Sequence, residues 1–383
     1  MAFVGGAVEL ATGSPAPACT LLLEGANLIL TSDPSRASEM LVLAARAALA
    51  ANQPDRIIEE IGPAISSLPG HHDVRVERVA QSLIAAGLAH GPPGAATPDQ
   101  SYEPATTWPH PALAWVWPML VQAEPAVDEL TAGGLYARLV VARRAAATVS
   151  ALTVALANLA ITEASLGRWP DAIHTATEGL HVARETGQHA TVAYFLVLLA
   201  WFAAQQGRAD DCRRLADEAL AVAASLRLPV VAAYASWQLA QLELAEGQPR
   251  SALDRLLALA TPGHPAAHAP VALLATGELV DAAVRADALE RVEPMVVRFE
   301  RWADWDKRTW TLVTAARCRA LITQGDEAER HYQAALTLDG LGERPFQLAR
   351  SELLYGQAKS GWPVTTSLPR SRPMALTVTS LTT

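Results

Sequence analysis

Apolar residues recur at three- and four-residue intervals along most of this chain, and runs of alternating apolar and polar residues are almost absent. The first spacing is that of an amphipathic helix, whereas alternation would indicate strands. The helical spacing covers the segments 36–51, 54–67, 74–88, 136–166, 171–185, 191–206, 211–225, 230–246 and 249–260. Short breaks with Gly, Pro or Asn separate them, as expected for helical hairpins. The pattern therefore predicts an all-α protein.

A longer period groups these helices into repeats. The stretches Gly167-Arg-Trp-Pro-Asp-Ala172, Gly207-Arg-Ala-Asp-Asp-Cys212 and Gly247-Gln-Pro-Arg-Ser-Ala252 lie 40 residues apart, and Leu-Ala precedes each in the same phase. Glycine can take the left-handed conformation that ends a helix, and the small residues allow two helices to approach closely. One hairpin cannot bury its apolar face alone, so we expect an α-solenoid of antiparallel hairpins with a period of about 40 residues.

Weaker copies of the repeat are expected on both sides of these three. One lies around Asn52 and another around Gly325. A degenerate unit covers 271–300, where Val284-Arg-Ala-Asp is aligned with the Gly-Arg-Ala-Asp of the regular repeats.

The patterns divide the chain into five parts. Residues 1–19 form an N-terminal segment, 20–88 are N-terminal helical hairpins, and 112–357 are helical repeats. Residues 89–111 are rich in Pro and polar side chains, which is typical of a linker or a long loop. Residues 358–383 lose the helical pattern and are rich in Ser, Pro and Thr, so we expect a disordered tail.

Charge and cysteine content narrow the possible settings. The formal net charge is −9, which is unsuited to binding nucleic acid directly. The three cysteines lie far apart without a C-x-x-C pair, which suits a reducing cytosol. The longest uncharged run, between Glu185 and Arg208, contains a strongly apolar part of only about fourteen residues, short of the roughly 20 that span a bilayer. We therefore expect a cytoplasmic protein without membrane contact.

Catalytic motifs are not recognisable. Neither Lys307 nor Lys359 stands in a phosphate-binding Gly-x4-Gly-Lys-Ser/Thr loop. His264 and His268 have helical ligand spacing, but prolines surround them and no H-E-x-x-H motif is present, so we expect loop histidines in solvent. A G-x-S-x-G nucleophile elbow is also lacking. The sequence predicts no enzyme, no cofactor and no metal.

Aromatic residues on the first helices of the hairpins suggest a binding surface. Tyr194 and Tyr234 occupy the same phase of the 40-residue period, with Trp201, Trp237 and Gln241 on neighbouring turns. Stacked hairpins would bring this stripe to the concave face, where aromatics with polar tips suit a peptide or a small ligand. The alternative is that these side chains only pack between repeats, and the sequence leaves both readings open.

Two stretches near the C-terminal end give the clearest resemblance to a family. The Gly-Arg-Trp and Gly-Arg-Ala hairpins resemble tetratricopeptide-like repeats. RTWTLVTAARCRALITQGDEAERHYQAAL (308–336) and GERPFQLARSELLYGQ (342–357) resemble the end of the helical domain of large LuxR-type (LAL, MalT-like) bacterial transcriptional regulators. SDPSRASEMLVLAARAALAANQPDR (32–56) resembles the start of that domain.

The resemblance implies a sensor or interaction domain that binds a protein or small-molecule effector on its concave face. It also implies an ATPase before this region and a helix-turn-helix after it, and the residues of this chain supply neither. We therefore expect a fragment or a truncated chain, and a frameshift would explain the change of composition after Gln357. A free-standing tetratricopeptide-like scaffold with no transcriptional role is the alternative.

Overall fold

A computed structural model describes residues 2–12, 15–68, 84–88, 129–145, 149–339 and 344–360. These ranges contain helices and turns and no strand. The N-terminal unit comprises α1 (Ala2–Thr12), α2 (Pro15–Ile29), α3 (Pro34–Ala50) and α4, which runs through Pro54–Arg56, a π turn at Ile57–Ile61 and Gly62–Ser66.

The rest of the described chain forms a series of helices that pack against one another in sequence order. A short 3₁₀ turn, Leu289–Arg291, precedes α14. The helices are α5 (Glu129–Ala145), α6 (Val149–Ser165), α7 (Trp169–Glu185), α8 (His189–Gln205), α9 (Ala209–Leu226), α10 (Pro229–Ala245), α11 (Pro249–Ala260), α12 (Ala269–Leu274), α13 (Thr276–Arg285), α14 (Glu293–Asp306), α15 (Thr309–Ile322), α16 (Gly325–Asp339) and α17 (Pro345–Ser360).

The 40-residue period appears in the structure as a repeated helix end. Gly167, Gly207 and Gly247 follow the ends of α6, α8 and α10 with φ angles of 75°, 69° and 76°. In the first of these turns the Arg168 amide donates a hydrogen bond to the Glu163 carbonyl at 2.8 Å, a bond typical of a left-handed helix end. The prediction of an all-α helical-repeat solenoid is confirmed.

Small residues allow the two helices of each repeat to lie close together. All six predicted contact positions have 0 % exposure, and each pair joins the first and second helix of one hairpin: Ala160 and Ala172, Ala200 and Cys212, Ala240 and Ala252. Gly179 allows a similar approach between successive hairpins, since a Cβ there on α7 would lie 2.1 Å from Cζ of Phe195 on α8. The Leu-Ala phase of the sequence is therefore a packing signal.

The degenerate repeat requires a correction. The predicted alignment placed Val284 at the glycine position, but α13 continues through it to Arg285. Asp287, 40 residues after Gly247, has a φ angle of 55° and makes the turn instead. Aspartate has a short polar side chain that tolerates the left-handed conformation better than most residues. The period of 40 therefore persists without the glycine.

The predicted domain boundaries differ from the helix ends. The boundary after residue 19 falls inside α2, and α1 packs on α2. At the other end α17 extends to Ser360, past the predicted limit of 357. The linker at 89–111, most of the tail at 358–383 and most of the helix predicted at 74–88 lie outside the described residues.

The N-terminal unit packs on the repeats instead of extending them. Helix α1 contacts α8, and α3 contacts α10. Leu22 and Leu41 of the unit share one apolar cluster with Leu273, Phe299 and Trp302, and all five are almost fully buried. Residues far apart in sequence thus form a second core beside the core of α5–α15.

Three hydrogen bonds join the end of α3 to the loop before α12. Asn52 Nδ2 donates to the Ala267 carbonyl at 3.2 Å, and Asn52 Oδ1 accepts from the Ala269 amide at 3.0 Å. His268 Nε2 lies 2.8 Å from the Leu49 carbonyl. His264 is exposed as expected, but the expectation of a solvent position is wrong for His268, which is 1 % exposed.

The ring of His268 is neutral in this position. Burial lowers its pKa to about 4, and the hydrogen bond to Leu49 opposes burial only in part. Its Nδ1 accepts a hydrogen bond from the Val271 amide at 3.3 Å, so Nε2 carries the proton and donates to Leu49. His268 therefore caps α12 and holds the end of α3 at once.

Candidate functional site

A cavity of about 150 Å³ opens between the inner helices α6, α8 and α10 on one side and α13, α15 and α17 on the other. The five residues predicted for the concave face all line it, namely Tyr194, Trp201, Tyr234, Trp237 and Gln241. Helices α8 and α10 carry them because equivalent helix faces recur every 40 residues. The equivalent faces of neighbouring repeats therefore lie side by side. This space is the inner cavity.

Exposure divides the five residues into two groups. Trp201, Trp237 and Gln241 are half-buried, whereas Tyr194 and Tyr234 are only 6 % and 5 % exposed. Their rings meet edge to face with centroids 6.3 Å apart, and Tyr234 stacks on Trp237 at 6.4 Å. The two tyrosines both pack between repeats and form a wall of the inner cavity.

Three further aromatic side chains complete the walls. Trp169 meets Trp201 edge to face at 6.3 Å and Phe346 at 5.9 Å between ring centroids. Trp310 lines the cavity from the start of α15. Sequence reasoning missed these three because none lies in the phase shared by Tyr194 and Tyr234.

One end of the cavity carries a network of charged side chains. Glu278 on α13 accepts a hydrogen bond from Arg350 at 2.6 Å through Oε1 and one from the indole N–H of Trp237 at 3.2 Å through Oε2. Arg350 also donates to Asp281 at 3.4 Å. Burial lowers the pKa of Arg350, but the two carboxylates outweigh that effect and raise the pKa overall. The network joins α10, α13 and α17 across the cavity.

Two more guanidinium groups face the same space. Arg317 is 3 % exposed and donates to Gln347 Oε1 at 2.9 Å. Arg344 lies over the ring of Trp310, 5.4 Å from its centroid. Three arginines and one carboxylate, that of Glu278, are therefore among the described lining residues.

Glutamine side chains supply the neutral polar groups of the cavity. Gln205 Nε2 donates to Gln241 Oε1, which links α8 to α10. Gln238 lines the cavity with 3 % exposure, and within the described ranges nothing donates a hydrogen bond to its buried Oε1. A buried acceptor without a donor costs free energy, on the order of 1–3 kcal/mol.

The segment 344–350 contributes a continuous part of the wall that sequence reasoning missed. Arg344, Phe346, Gln347 and Arg350 all line the cavity. Phe346 and Arg350 are four residues apart and Gln347 and Arg350 three apart, so they share a helix face. That spacing was visible in the sequence, but nothing local indicated which surface the face would meet.

Metal ligation and thiol chemistry have no visible basis in the described part of the chain. It holds no group of three or more His, Cys, Asp or Glu side chains placed for a metal ion. Burial raises the pKa of Cys19 and Cys212 to about 11 and that of Cys318 to about 12. None of the described helices combines the length and apolarity needed to cross a membrane.

Comparison with known proteins finds one local similarity. A family model described as anaphase-promoting complex subunit 5 matches residues 136–206, which run from within α5 to just past α8. No curated protein is similar enough to this chain to count as a match. The family match covers a minority of the chain and lies in the helices that form one side of the inner cavity. Together with the packing of the helices, it supports a tetratricopeptide-like helical-repeat domain.

Proposed function

We propose that this chain is an effector-binding helical-repeat domain, and that the inner cavity is its site. Tetratricopeptide-like repeats are generally interaction scaffolds without catalytic activity, and stacked helical repeats use concave surfaces for binding. The observation that carries the proposal is the meeting of Trp201, Trp237 and Gln241 with Arg317 and Arg344 around one cavity. Aromatic walls with a few polar groups are typical of ligand sites.

The finer proposal is a sensor domain of a LuxR-type transcriptional regulator. The resemblance of 308–336 and 342–357 to such regulators supports it. The segment 344–350 forms a cavity wall, so an effector would contact the helix α17 that ends the described chain. An effector shifts a conformational equilibrium only through a difference in affinity between two states, and movement of α17 would supply that difference.

A free-standing scaffold is the second candidate. The similarity of 136–206 to a family named as a subunit of a complex supports it. The two candidates differ in their gene context. A regulator requires ATPase codons upstream of this region and helix-turn-helix codons downstream of it, in the same reading frame or in another one. Sequencing the DNA on both sides of this coding region separates them.

Binding at the inner cavity is tested with an extract and two variants. The purified chain is immobilised and exposed to a fractionated extract of its source cells, in parallel with the double variant Trp201→Ala/Gln241→Ala. A matched control is Val297→Ala, since Val297 is 46 % exposed on α14 away from the cavity. We expect at least one protein or metabolite to be retained by the wild type and the control and lost by the double variant.

Thermal unfolding of each variant separates loss of binding from loss of folding. The proposal fails if every retained component binds the folded double variant as well as the wild type. In that case the aromatic stripe serves packing alone.

A further inference from the structure

We infer that the inner cavity binds a neutral molecule with a single aromatic ring, such as a simple benzene or phenol derivative. This inference rests on the proposed function, because it names the ligand class for the same site. The size of the cavity, the rings on its walls and the pairing of its charged side chains support it.

The size of the inner cavity limits the ligand to a small molecule. Its volume is about 150 Å³, and an engineered apolar cavity of about 150 Å³ in another protein holds one benzene molecule. Pockets for drug-sized ligands are larger, at about 300–1,000 Å³. A single six-membered ring with one short substituent therefore fits the enclosed space.

Aromatic rings surround this space on several sides. Trp169, at the start of α7, contacts both Trp201 of α8 and Phe346 of α17 edge to face. Two further rings line the cavity from α10 and α15, namely those of Trp237 and Trp310. Aromatic rings gain more from another ring in offset-stacked or edge-to-face geometry than from burial alone. The walls therefore favour a planar aromatic ligand over a saturated ring of the same size.

The one carboxylate among the described wall residues is engaged twice. Glu278 accepts a hydrogen bond from Arg350 through Oε1 and one from the indole N–H of Trp237 through Oε2. A cationic ligand would have to compete with these donors for the same oxygens. Breaking a buried ion pair is costly because it leaves one charge without its partner. The walls therefore disfavour a cation.

The other charged groups of the described walls also have partners within the protein. Arg350 donates to Asp281 as well as to Glu278. Arg317 donates to Gln347, and Arg344 lies over the ring of Trp310. An anion that leaves water must be paired inside the protein, and here it would have to draw an arginine away from an existing contact. A neutral ligand leaves all these contacts intact, so the pairing favours an uncharged molecule.

Four probes that share one carbon skeleton test the inference on the full chain. They are benzyl alcohol, cyclohexylmethanol with a saturated ring, benzoate with a negative charge and benzylammonium with a positive charge. A saturation-transfer NMR titration measures weak binding of each probe. We expect benzyl alcohol to bind saturably with a Kd on the order of 1 mM, as a molecule of this size allows. Cyclohexylmethanol should bind at least about threefold more weakly, and each ion at least about tenfold more weakly.

The variant Trp201→Leu connects the preference for an aromatic ring to the inner cavity. It removes a ring from the wall but keeps an apolar side chain. We expect the preference for benzyl alcohol over cyclohexylmethanol to fall by at least about twofold. The matched control is Trp305→Leu, because Trp305 is half-buried on α14 and does not line the cavity. This control should leave the Kd of both alcohols unchanged.

The variant Gln241→Glu tests the argument from charge at the same site. Gln241 is half-buried at the cavity, and its Oε1 accepts a hydrogen bond from Gln205 that a carboxylate also accepts. The substitution therefore adds a negative charge with little change of shape. We expect benzylammonium to bind at least about threefold more tightly and benzoate more weakly than to the wild type, whereas the Kd of benzyl alcohol should change by less than about twofold.

Each contrary result overturns the inference. If either ion binds the wild type as tightly as benzyl alcohol does, the ligand is not neutral, and equal binding of cyclohexylmethanol shows that the rings do not select an aromatic molecule. Unchanged Kd values in the folded variants Trp201→Leu and Gln241→Glu, with folding checked by thermal unfolding, place the binding outside the cavity. If no probe binds saturably, the ligand class is wrong, whereas the extract experiment with Trp201→Ala/Gln241→Ala still decides separately whether the cavity binds an effector.

Discussion

The regular repeats α6–α11 and the N-terminal unit α1–α4 are both helical, but different contacts join each of them to the rest of the protein. In the repeats, positive φ angles recur about every 20 residues, at 167, 187, 207, 227 and 247, and each helix packs on its neighbours in sequence. The helices of the N-terminal unit also pack on their sequence neighbours, but the unit is docked on the repeats by contacts across great sequence distance, such as that between Leu49 and His268, which lie 219 residues apart.

Because of this difference, the two regions should respond differently to a destabilising mutation. Repeat arrays are quasi-one-dimensional, so a defect acts mainly on its neighbours. A unit that is docked by a few distant side chains depends on all the helices that present them. We therefore expect a core mutation in the repeats to act locally and one at the docking surface to act at long range.

The largest expected effect comes from two matched core truncations. Phe195 and Trp302 are 0 % exposed, in the repeats and at the docking surface respectively. We expect Phe195→Ala and Trp302→Ala each to lower the unfolding free energy by about 3–5 kcal/mol. Hydrogen exchange should show faster opening of α7–α9 in the first variant, and of α2 and α3 in the second.

The exposed Leu353, at 52 %, offers a control, since Leu353→Ala should change neither pattern. If α2 and α3 keep their protection in Trp302→Ala, the N-terminal unit is stable by itself and the contrast between the regions is wrong.

The same contrast explains what the sequence could and could not predict. Gly167, Gly207 and Gly247 indicate the repeats because the left-handed conformation at a helix end favours glycine at that position of the sequence. The docking of α3 through His268 has no local signal, since a histidine in a Pro-rich stretch looks the same whether it is exposed or buried. Periodicity in the sequence indicates local helical structure. The packing of one region on another depends on the curvature of the whole array of helices, which a short stretch of sequence does not determine.

The inner cavity shows the same limit. Tyr194, Tyr234 and Trp237 could be chosen from the repeat phase, and they do line one space. Arg317 and Arg344 could not be chosen in this way. Their approach to α8 and α10 depends on the combined arrangement of all the helices that lie between them in the chain. The aromatic side of the site was therefore predictable and its charged side chains were not.

The second prediction concerns pH at the docking surface. An unfolded histidine takes up a proton below about pH 6.5, whereas His268 in the folded protein does so only near its pKa of about 4. Between these values the unfolded state binds more protons, so stability falls as the pH falls through this window. The loss attributable to His268 should reach about 2–3 kcal/mol at pH 4.5.

Urea unfolding at pH 7, 5.5 and 4.5 measures this loss, with His268→Gln and His264→Gln as matched variants. His264 is exposed, so its replacement should leave the pH dependence as in the wild type. His268→Gln should be less stable at pH 7 but should lose less stability on acidification. Equal pH dependence in all three proteins would mean that the burial of His268 does not control docking.

The smallest expected effect tests whether the repeats require glycine itself or only a residue that tolerates the left-handed conformation. Gly207 has a φ angle of 69° with open space where a Cβ would lie, so Gly207→Ala should lower the unfolding free energy by about 1 kcal/mol through backbone strain alone.

Asp287 is exposed and makes the equivalent turn at 55°. Asp287→Ala should therefore cost about the same, about 1 kcal/mol, and Asp287→Gly should change stability by less than about 0.5 kcal/mol, because the strain it relieves is offset by the greater freedom of an unfolded glycine. Chemical denaturation of the three variants gives these values. A neutral Asp287→Ala would show that the turn at 287 can relax, and that the 40-residue period ends with α11.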